Sequence, residues 1–231
     1  TTTPMTVALM DCVLKKGIGN ILFHINHVTV PAPMRELINS HDEQVNSYDS
    51  QIDAFIGPAH VSVISGSKIY EEFPRDYNIP VVVSGFEPID VMEALLMIVK
   101  QFNEKRCELE IQYTRSVSYD GNIVAQKLID KYLDFGSSFK WRGLGRIRNS
   151  ALKLKEEYGQ YDAEVVYKEI LPIDEIDDHK LCICGDIMRG IAKPNECTVF
   201  GTICKPNSPL GSCMVSSEGA CSAYYKFGNL I

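Results

Sequence analysis

The sequence predicts an α/β fold, with a parallel-sheet, three-layer α/β domain over residues 1–165 and a small, irregular, cysteine-rich domain over residues 166–231. Two observations predict it. In the first part of the chain, short apolar runs alternate with amphipathic segments, which indicates parallel strands joined by right-handed crossovers. Six of the 8 cysteines instead fall between positions 182 and 221, where Gly and Pro replace helical periodicity.

Apolar spacing predicts the individual elements. Apolar residues that recur every three or four positions predict helices at residues 7–14, 33–38, 88–102, 122–133, 150–158 and 220–227. Short apolar runs bounded by turn residues predict strands at residues 21–25, 54–56 and 79–83, and residues 141–145 are typical of a strand and turn. Gly17 and Gly19 are typical of a helix end, and Ser150 is a candidate N-cap.

Polar residues follow three of the predicted strands. These strand ends are Asn26-His27, Pro58-Ala59-His60 and Gly85-Phe86-Glu87. Ligands of open parallel sheets bind beyond the carboxyl ends of the strands, so a layer of His, His and Glu on one rim is a candidate site. The alternative is that Gly and Pro shape the turns while the polar side chains cap the following helices.

Composition excludes several classes of partner. The net charge is −7, and Lys and Arg are scattered without a basic stripe, so nucleic acid is not expected as a partner. The longest apolar stretches, such as residues 91–99, are too short to span a bilayer, so no membrane is expected. The opening Thr1-Thr2-Thr3-Pro4 lacks the features of a secretory signal, and a cytoplasmic protein is predicted.

Four of the late cysteines fit the pattern Cys184-x12-Cys197-x6-Cys204-x16-Cys221. Four converging thiolates suit zinc or an iron–sulfur cluster. Structural zinc prefers short Cys-x2-Cys knuckles, whereas long irregular spacings favour a cluster, in which each thiolate bonds a different iron. The segment has too little apolar content for its own core, so a metal would help to order it. Disulfides are the alternative, which reduced cytosolic thiols disfavour.

Two of the late cysteines remain outside this pattern. Cys182 and Cys213 could each be a spare ligand, a redox-active thiol or an inert buried cysteine. The interpretation favours an inert Cys182. For Cys213 a redox role and an inert role stay open.

The end of the chain carries a family resemblance. The run Phe200-Gly201-Thr202-x-Cys204-x-Pro206-x-x-Pro209-x-Gly211-x-Cys213-Met214-Val215-Ser216-Ser217-Glu218-Gly219-Ala220-Cys221 closely resembles the carboxy terminus of HypD hydrogenase formation proteins. Three upstream runs also resemble family motifs: Gly85-Phe86-Glu87-Pro88-x-Asp90, Gln112-Tyr113-x-Arg115 and Trp141-Arg142-Gly143-Leu144-Gly145. Because these motifs occur in family order, the resemblance covers essentially the whole chain.

The resemblance implies a function and a cofactor. HypD proteins work with the HypC chaperone and with HypE to assemble the Fe(CN)2CO group of [NiFe] hydrogenases, which would be held transiently by the full-length protein. Family members carry one [4Fe-4S] cluster, which maps onto Cys184, Cys197, Cys204 and Cys221. Cys213 matches a family position that takes part in an electron or thiol–disulfide relay.

This sequence also departs from the family pattern. The family's Cys-Gly-Thr-His-Glu and Cys-Gly-Pro-Gly-Cys-Pro-Val-Cys motifs do not occur in it. The resemblance therefore implies the carboxy-terminal portion of a family protein, which alone is expected not to complete the family reaction. Ala59 replaces a family Gly, and the stretch Ile147-Arg148-Asn149-Ser150-Ala151 replaces Ile-Pro-x-Ser-Gly.

Three hypotheses for the function follow. The central one is a maturation scaffold with redox capacity, in which His60 donates a hydrogen bond or proton at an inter-domain cleft and Glu87 accepts one if apolar walls exclude water. The second is a structural metal module that binds protein partners. The third is an iron–sulfur thiol–disulfide oxidoreductase that uses Cys213 on a protein disulfide.

Overall fold

A computed structural model describes residues 2–39, 52–171 and 179–228. The chain forms two compact units, and neither is continuous in sequence. The first unit contains residues 1–31, 53–136 and 151–171, and the second contains residues 32–52, 137–150 and 172–231. The predicted boundary between residues 165 and 166 stays a prediction.

The first unit, called here the α/β unit, is built on a three-stranded parallel sheet in the order β1-β2-β3, with β1 at Phe55–Pro58, β2 at Val81–Ser84 and β3 at Leu109–Ile111. The central strand β2 is buried at every position. Its Val-Val-Val-Ser sequence is the continuous apolar run expected of a parallel strand that is covered on both faces. The predicted mixed α/β class with a parallel sheet is confirmed.

Helices cover both faces of this sheet. On one face Val82 packs against Ala94 and Ile98 of α5 (Pro88–Asn103). The alternating side chains Val81 and Val83 point to the opposite face, where α3 (Ala59–Ser65), a 3-10 helix (Ser67–Tyr70) and α4 (Glu72–Tyr77) follow β1 along the chain. Pro88 occupies the first turn of α5, where its missing N–H leaves no bond unmade.

A second core in the α/β unit joins α1 (Thr2–Lys15) to α6 (Ile123–Tyr132). A two-stranded antiparallel ribbon of β4 (Leu133–Phe135) and β7 (Leu152–Leu154) extends it. A 3-10 helix (Glu156–Tyr161) and α7 (Ala163–Val166) complete the unit.

The second unit, called here the cysteine-rich unit, has little regular structure. It contains most of α2 (Pro31–Asn39) and a hairpin of β5 (Ser138–Trp141) and β6 (Gly145–Arg148). Its remaining elements are α8 (Cys184–Met188), a 3-10 helix (Pro194–Glu196), α9 (Ser212–Val215) and α10 (Ala220–Phe227). Its apolar cluster includes six cysteines, so thiols take much of the place of a hydrocarbon core.

Two predicted elements are wrong. Residues 21–25 form no strand, and Phe23 contributes an isolated bridge to Asp162. The predicted helix at 150–158 is instead β7 followed by a 3-10 helix. Ser150 is fully buried rather than an N-cap, because its hydroxyl donates to the Ile147 carbonyl (2.9 Å) and accepts from the Trp141 indole N–H (2.8 Å).

Among the described residues, none of the helices combines the length and apolar content needed to cross a membrane.

Candidate metal centre and sheet rim

All six late cysteines lie in one apolar cluster of the cysteine-rich unit. Cys182 is half-buried, and the other five are buried: Cys184, Cys197, Cys204, Cys213 and Cys221. All eight cysteines of the chain fall within the described residues and are free thiols. The structure therefore gathers the late cysteines into one site without pairing them as disulfides.

Short turns and helix ends position these thiols. Cys184 begins α8, Cys213 and Cys221 lie in α9 and α10, and Cys197 follows the 3-10 helix at Pro194–Glu196. Cys204 is fixed by its amide N–H, which donates to the Val199 carbonyl (2.9 Å). Because each cysteine is anchored by the backbone, the thiols converge even though the segment has few apolar side chains.

Two glycines permit the close packing around the thiols. A Cβ atom at Gly211 would collide with the Cys182 sulfur, and a Cβ atom at Gly219 would collide with the Cys213 carbonyl. Gly219 therefore requires glycine for steric reasons, because backbone cannot move aside, whereas at Gly211 the Cys182 side chain would have to shift.

Backbone amides donate hydrogen bonds to two of the sulfurs. The N–H of Cys213 lies 3.3 Å from the Cys184 Sγ, and the N–H of Leu210 lies 3.4 Å from the Cys204 Sγ. The Ser212 hydroxyl lies 3.1 Å from the Cys184 Sγ. Such N–H···S contacts stabilise the thiolate form and tune the potentials of iron–sulfur clusters.

Two thiols are in direct contact. The Sγ atoms of Cys184 and Cys213 are 2.8 Å apart. Sequence reasoning placed Cys184 among the ligands and left Cys213 outside them. The structure adds that the two thiols form a pair.

The surroundings of Cys213 and Cys221 raise the pKa of both thiols. The hydrogen bond with Cys184, burial and the neighbouring thiols raise the pKa of Cys213 far above its usual value. Burial, followed by the charges of surrounding cysteines, raises the pKa of Cys221 to about 12. Positive charge at the site would reverse these shifts, since a thiol that coordinates a metal is deprotonated.

The residue set fits an iron–sulfur cluster. It offers more than four buried thiols in one place, amide donors to two sulfurs and a surrounding apolar shell. Within residues 2–39, 52–171 and 179–228, no three His, Cys, Asp or Glu side chains are arranged to hold one metal ion. That finding does not bear on a cluster, in which each thiolate bonds a different iron.

A cavity of about 220 Å³ opens beside this site. Its walls are Gly143, Cys182, Ile183, Cys184, Gly185, Asp186 and Arg189. Of the six thiols, Cys182 and Cys184 are therefore the two that border this cavity.

The rim of the parallel sheet brings together two of the three predicted strand ends. His60 lies in α3 directly after β1, and its ring centroid is 5.0 Å from that of Phe86, which follows β2. Glu87 is the N-cap residue of α5, but its side chain makes no capping bond and is 64% exposed. The apolar enclosure on which a role for Glu87 depends is therefore missing around it.

The third predicted strand end is not part of this sheet. The carbonyl of His27 instead accepts from the amide N–H of Leu152, and Val28 bridges to Ala151. The prediction was wrong because the apolar run before His27 packs into the α1–α6 core rather than into the sheet.

Sequence reasoning missed the most connected group at the rim. The Asp90 side chain is 3% exposed, and its carboxylate accepts from Arg115 (2.9 and 3.1 Å) and from Gln112 (2.8 Å). Hydrogen bonds with Glu87, Gln112 and Arg115 hold the pKa of Asp90 below its usual value. Arg115 also stacks over the Tyr113 ring at 4.3 Å.

A signal for this group was present in the sequence. Asp90 lies two residues beyond the Gly85–Pro88 run, and Gln112 and Arg115 follow β3. Because β2 and β3 are parallel neighbours, the two motifs end at the same edge. A Cβ atom at Gly85 would collide with Asp90 and with Tyr113, which fixes the approach of the two loops.

Comparison with known proteins supplies the family. A profile of HypD, described as the hydrogenase formation hypA family, matches residues 1–228. The hydrogenase maturation factor HypD2 of Bradyrhizobium diazoefficiens is 46% identical over 99% of this chain and 59% of its own length. HypD of Rhizobium leguminosarum bv. viciae is 44% identical, over 99% of this chain and 58% of its own length.

A more distant relative is a putative hydrogenase expression/formation protein of Methanocaldococcus jannaschii, 38% identical over 98% of this chain and 60% of its own length. The chain thus spans about three fifths of the length of these curated relatives. The match over residues 1–228 shows that the chain belongs to the HypD family.

Proposed function

We propose that this chain serves in hydrogenase maturation and holds a [4Fe-4S] cluster in its cysteine-rich unit. The observation that carries the proposal is the gathering of six thiols, from positions 182–221, into one cluster in which five of them are buried. The names of its relatives, which are hydrogenase maturation factors, support the biological role. When bound, the cluster would supply the capacity to accept and donate one electron.

Three ligands of the proposed cluster are the same in either of two assignments. Cys197, Cys204 and Cys221 are common to both. The spacing pattern makes Cys184 the fourth ligand. The contact between Cys184 and Cys213 (2.8 Å) favours the alternative, in which these two thiols pair and Cys182, packed against Gly211, is the fourth ligand.

The other residues of the unit would exclude water and position the thiolates. Met214 and Val199 are almost fully buried among the cysteines. The amide of Leu210 donates to the Cys204 sulfur at 3.4 Å, and that of Cys213 to the Cys184 sulfur at 3.3 Å. Fixed N–H donors stabilise negative charge on sulfur, and each such hydrogen bond is stronger in a low-dielectric surrounding than in water.

The partners and cargo of the full-length protein are part of the proposal. The family resemblance supports the HypC chaperone and HypE as partners and the Fe(CN)2CO group as transient cargo. His60, beside Phe86 at the sheet rim, and the Asp90–Arg115 pair are the groups of the α/β unit proposed to face that chemistry. The proposed location is the cytoplasm.

The decisive experiment is iron and acid-labile sulfide analysis of anaerobically purified protein. We expect about four iron and four sulfide per chain and a brown colour that dithionite bleaches. Cys204→Ala should abolish both, whereas Cys12→Ala, at the exposed cysteine of α1, should not. A colourless protein loaded with zinc would support the structural metal module instead.

The fourth ligand is decided by a pair of variants. If Cys184 is a ligand, Cys184→Ala loses the cluster and Cys182→Ala keeps it; the opposite result assigns Cys182.

The role of His60 at the sheet rim is tested in a host that lacks HypD, with a full-length relative that carries alanine at the position of His60. Unchanged maturation with intact folding would remove His60 from the mechanism.

A thiol–disulfide oxidoreductase is the second candidate, and the contact between Cys184 and Cys213 is the observation that favours it. Oxidation of the two thiols to a disulfide gives up two electrons and two protons, and a protein disulfide takes up both to become two thiols. However, Cys184 is 2% and Cys213 is 6% exposed, so a protein disulfide cannot reach either sulfur in this conformation. A mixed disulfide trapped at Cys213 would support this candidate.

A further inference from the structure

The hydroxyl of Ser212 lies between the sulfur of Cys184 and the tip of the β5–β6 hairpin. Its oxygen is 3.1 Å from the Cys184 Sγ and 3.4 Å from the Arg142 carbonyl oxygen. Ser212 is half-buried, whereas Cys184 is 2% exposed. All three residues belong to the cysteine-rich unit. The hydroxyl therefore connects a buried thiol to a turn that lies 70 residues from Ser212 in the sequence.

The tip of this hairpin is held against the loops that carry the cysteines. The Arg142 guanidinium donates to the Leu210 carbonyl (3.3 Å). A Cβ atom at Gly185 would collide with the Gly143 carbonyl oxygen, which shows how closely the tip approaches the start of α8. The Arg142 carbonyl is therefore fixed in position relative to Ser212.

The two contacts of the Ser212 hydroxyl differ in strength. At 3.4 Å, the contact with the Arg142 carbonyl is longer than a good O–H···O bond, which measures about 2.5–3.0 Å. Sulfur is a larger atom than oxygen, so 3.1 Å to the Cys184 Sγ is a close contact. A hydroxyl has one proton to donate. The sulfur is therefore the stronger acceptor, and the weaker carbonyl contact helps to hold the hydroxyl oxygen in place.

The direction of this hydrogen bond follows from the chemistry of sulfur. A cysteine sulfur that bonds iron or a second sulfur has no proton, so it can only accept from the hydroxyl. Reduction increases the negative charge on such a sulfur, and a donor stabilises the more negative state more strongly. Hydrogen bonds to sulfur thereby tune the potential of a cluster. The amide N–H of Cys213, 3.3 Å from the Cys184 Sγ, acts in the same direction.

We propose that Ser212 is a positioning residue that raises the reduction potential of the couple to which Cys184 belongs. The inference rests on the proposed function, because it assigns Cys184 to redox chemistry, and it holds for both ligand assignments. If Cys184 is a cluster ligand, the couple is the cluster, which takes up one electron. If Cys184 pairs with Cys213, the couple is their disulfide, which takes up two electrons and two protons to become two thiols.

The test is a redox titration of the wild type and three variants, all purified without air. Ser212→Ala removes the hydroxyl and Ser212→Thr keeps it. Ser217→Ala removes an exposed hydroxyl from the turn after α9 and is the matched control. The cluster is titrated with dithionite and followed by its visible absorption. The Cys184–Cys213 pair is equilibrated with mixtures of reduced and oxidised dithiothreitol, and its thiols are counted in the unfolded protein by alkylation and mass spectrometry.

We expect Ser212→Ala to shift the equilibrium of the Cys184 couple about fivefold toward the oxidised state, which is the effect of one lost hydrogen bond. Ser212→Thr and Ser217→Ala should titrate like the wild type. Iron content should be equal in all four proteins, because none of the substitutions removes a thiol. A purely structural role for Ser212 would change iron content and leave the potential of the remaining centres unchanged.

Several results would overturn the proposal. The first is an unchanged equilibrium in Ser212→Ala. An equal shift in Ser212→Thr would show that the hydroxyl is not the cause, and an equal shift in Ser217→Ala would show a general effect of the loop. Loss of iron in Ser212→Ala would make Ser212 a structural residue.

Failure of the proposed function has a different signature, which is a wild-type protein that contains no iron after anaerobic purification. The dithiothreitol measurement needs no iron. It would still decide the role of Ser212, because the hydroxyl then acts on the Cys184–Cys213 pair or on neither couple.

Discussion

The α/β unit and the cysteine-rich unit have interiors of different composition. In the α/β unit, β2 is buried along its whole length and hydrocarbon side chains from α5 pack on it. In the cysteine-rich unit, six thiols occupy the centre and glycines allow the backbone to approach them. The comparison teaches that the first unit carries its own driving force for folding, whereas the second, if the proposed function holds, depends on the cluster that its thiols would bind.

The largest effect is expected from removal of the metal, which should affect one unit and not the other. Stripping iron with a chelator under reducing conditions should unfold the cysteine-rich unit and leave the α/β unit folded, because the proposed centre replaces a hydrocarbon core. Hydrogen exchange followed by mass spectrometry should show lost protection at residues 182–227 and retained protection at β2 and α5. Equal protection in both units after complete iron removal would break the comparison.

A cavity beside the sheet should destabilise the α/β unit and leave the cysteine-rich unit unaffected. Val82 is fully buried between the sheet and α5, so Val82→Ala should cost about 2 kcal/mol through lost burial and a residual void. The cost is measured as the free energy of unfolding of the α/β unit, and iron content should not change. Leu96→Ala, at a side chain that is 52% exposed, is the control and should cost much less.

Acid should lower the stability of the α/β unit because it protonates Asp90 at the sheet rim. The pKa of this carboxylate is lowered in the folded protein, so its stabilising contribution is complete above the unfolded pKa of about 4 and is lost as pH falls through the folded value. Asp90→Asn should therefore be less stable than the wild type near neutral pH, and the gap should close in acid. Urea unfolding at several pH values measures it, and a gap independent of pH would contradict it.

The smallest effect is expected at the isolated cysteine of α1. Cys12 is exposed and far in sequence from the other thiols, so Cys12→Ser should change the free energy of unfolding by no more than about 0.5 kcal/mol. Iron content should be unchanged. A loss of iron in this variant would mean that a thiol of the α/β unit contributes to the metal centre.

The sequence predicted the elements whose patterns are local. Helix α5 and strand β2 were expected from apolar spacing alone, and α10 occurs where it was expected. Residues 150–158 were misread because Ala151, Leu154 and Tyr158 fit a helical spacing, whereas Leu152 and Leu154 fit an alternating one. The partner strand β4 decides between them, and that pairing is a tertiary contact.

The candidate site also has features that the sequence predicted and features that depend on tertiary contacts. The cysteine spacing was visible in the sequence, and the rim motifs at Gly85–Asp90 and Gln112–Arg115 were recognised as a resemblance. The contact between Cys184 and Cys213, and the convergence of Gln112 and Arg115 on Asp90, depend on how distant turns approach each other. No periodicity in the chain encodes such distances.

Gly211 and Gly219 give the cysteine-rich unit an unusual mutational profile. Neither residue can bind iron, yet a single added methyl group at either position would push into the Cys182 sulfur or the Cys213 carbonyl. In a saturation screen scored by iron incorporation, Gly219, where the clash is with backbone, should rank with the cysteines themselves, and alanine should be nearly as damaging there as a bulky residue. Gly211, where the clash is with a side-chain sulfur, should tolerate alanine better.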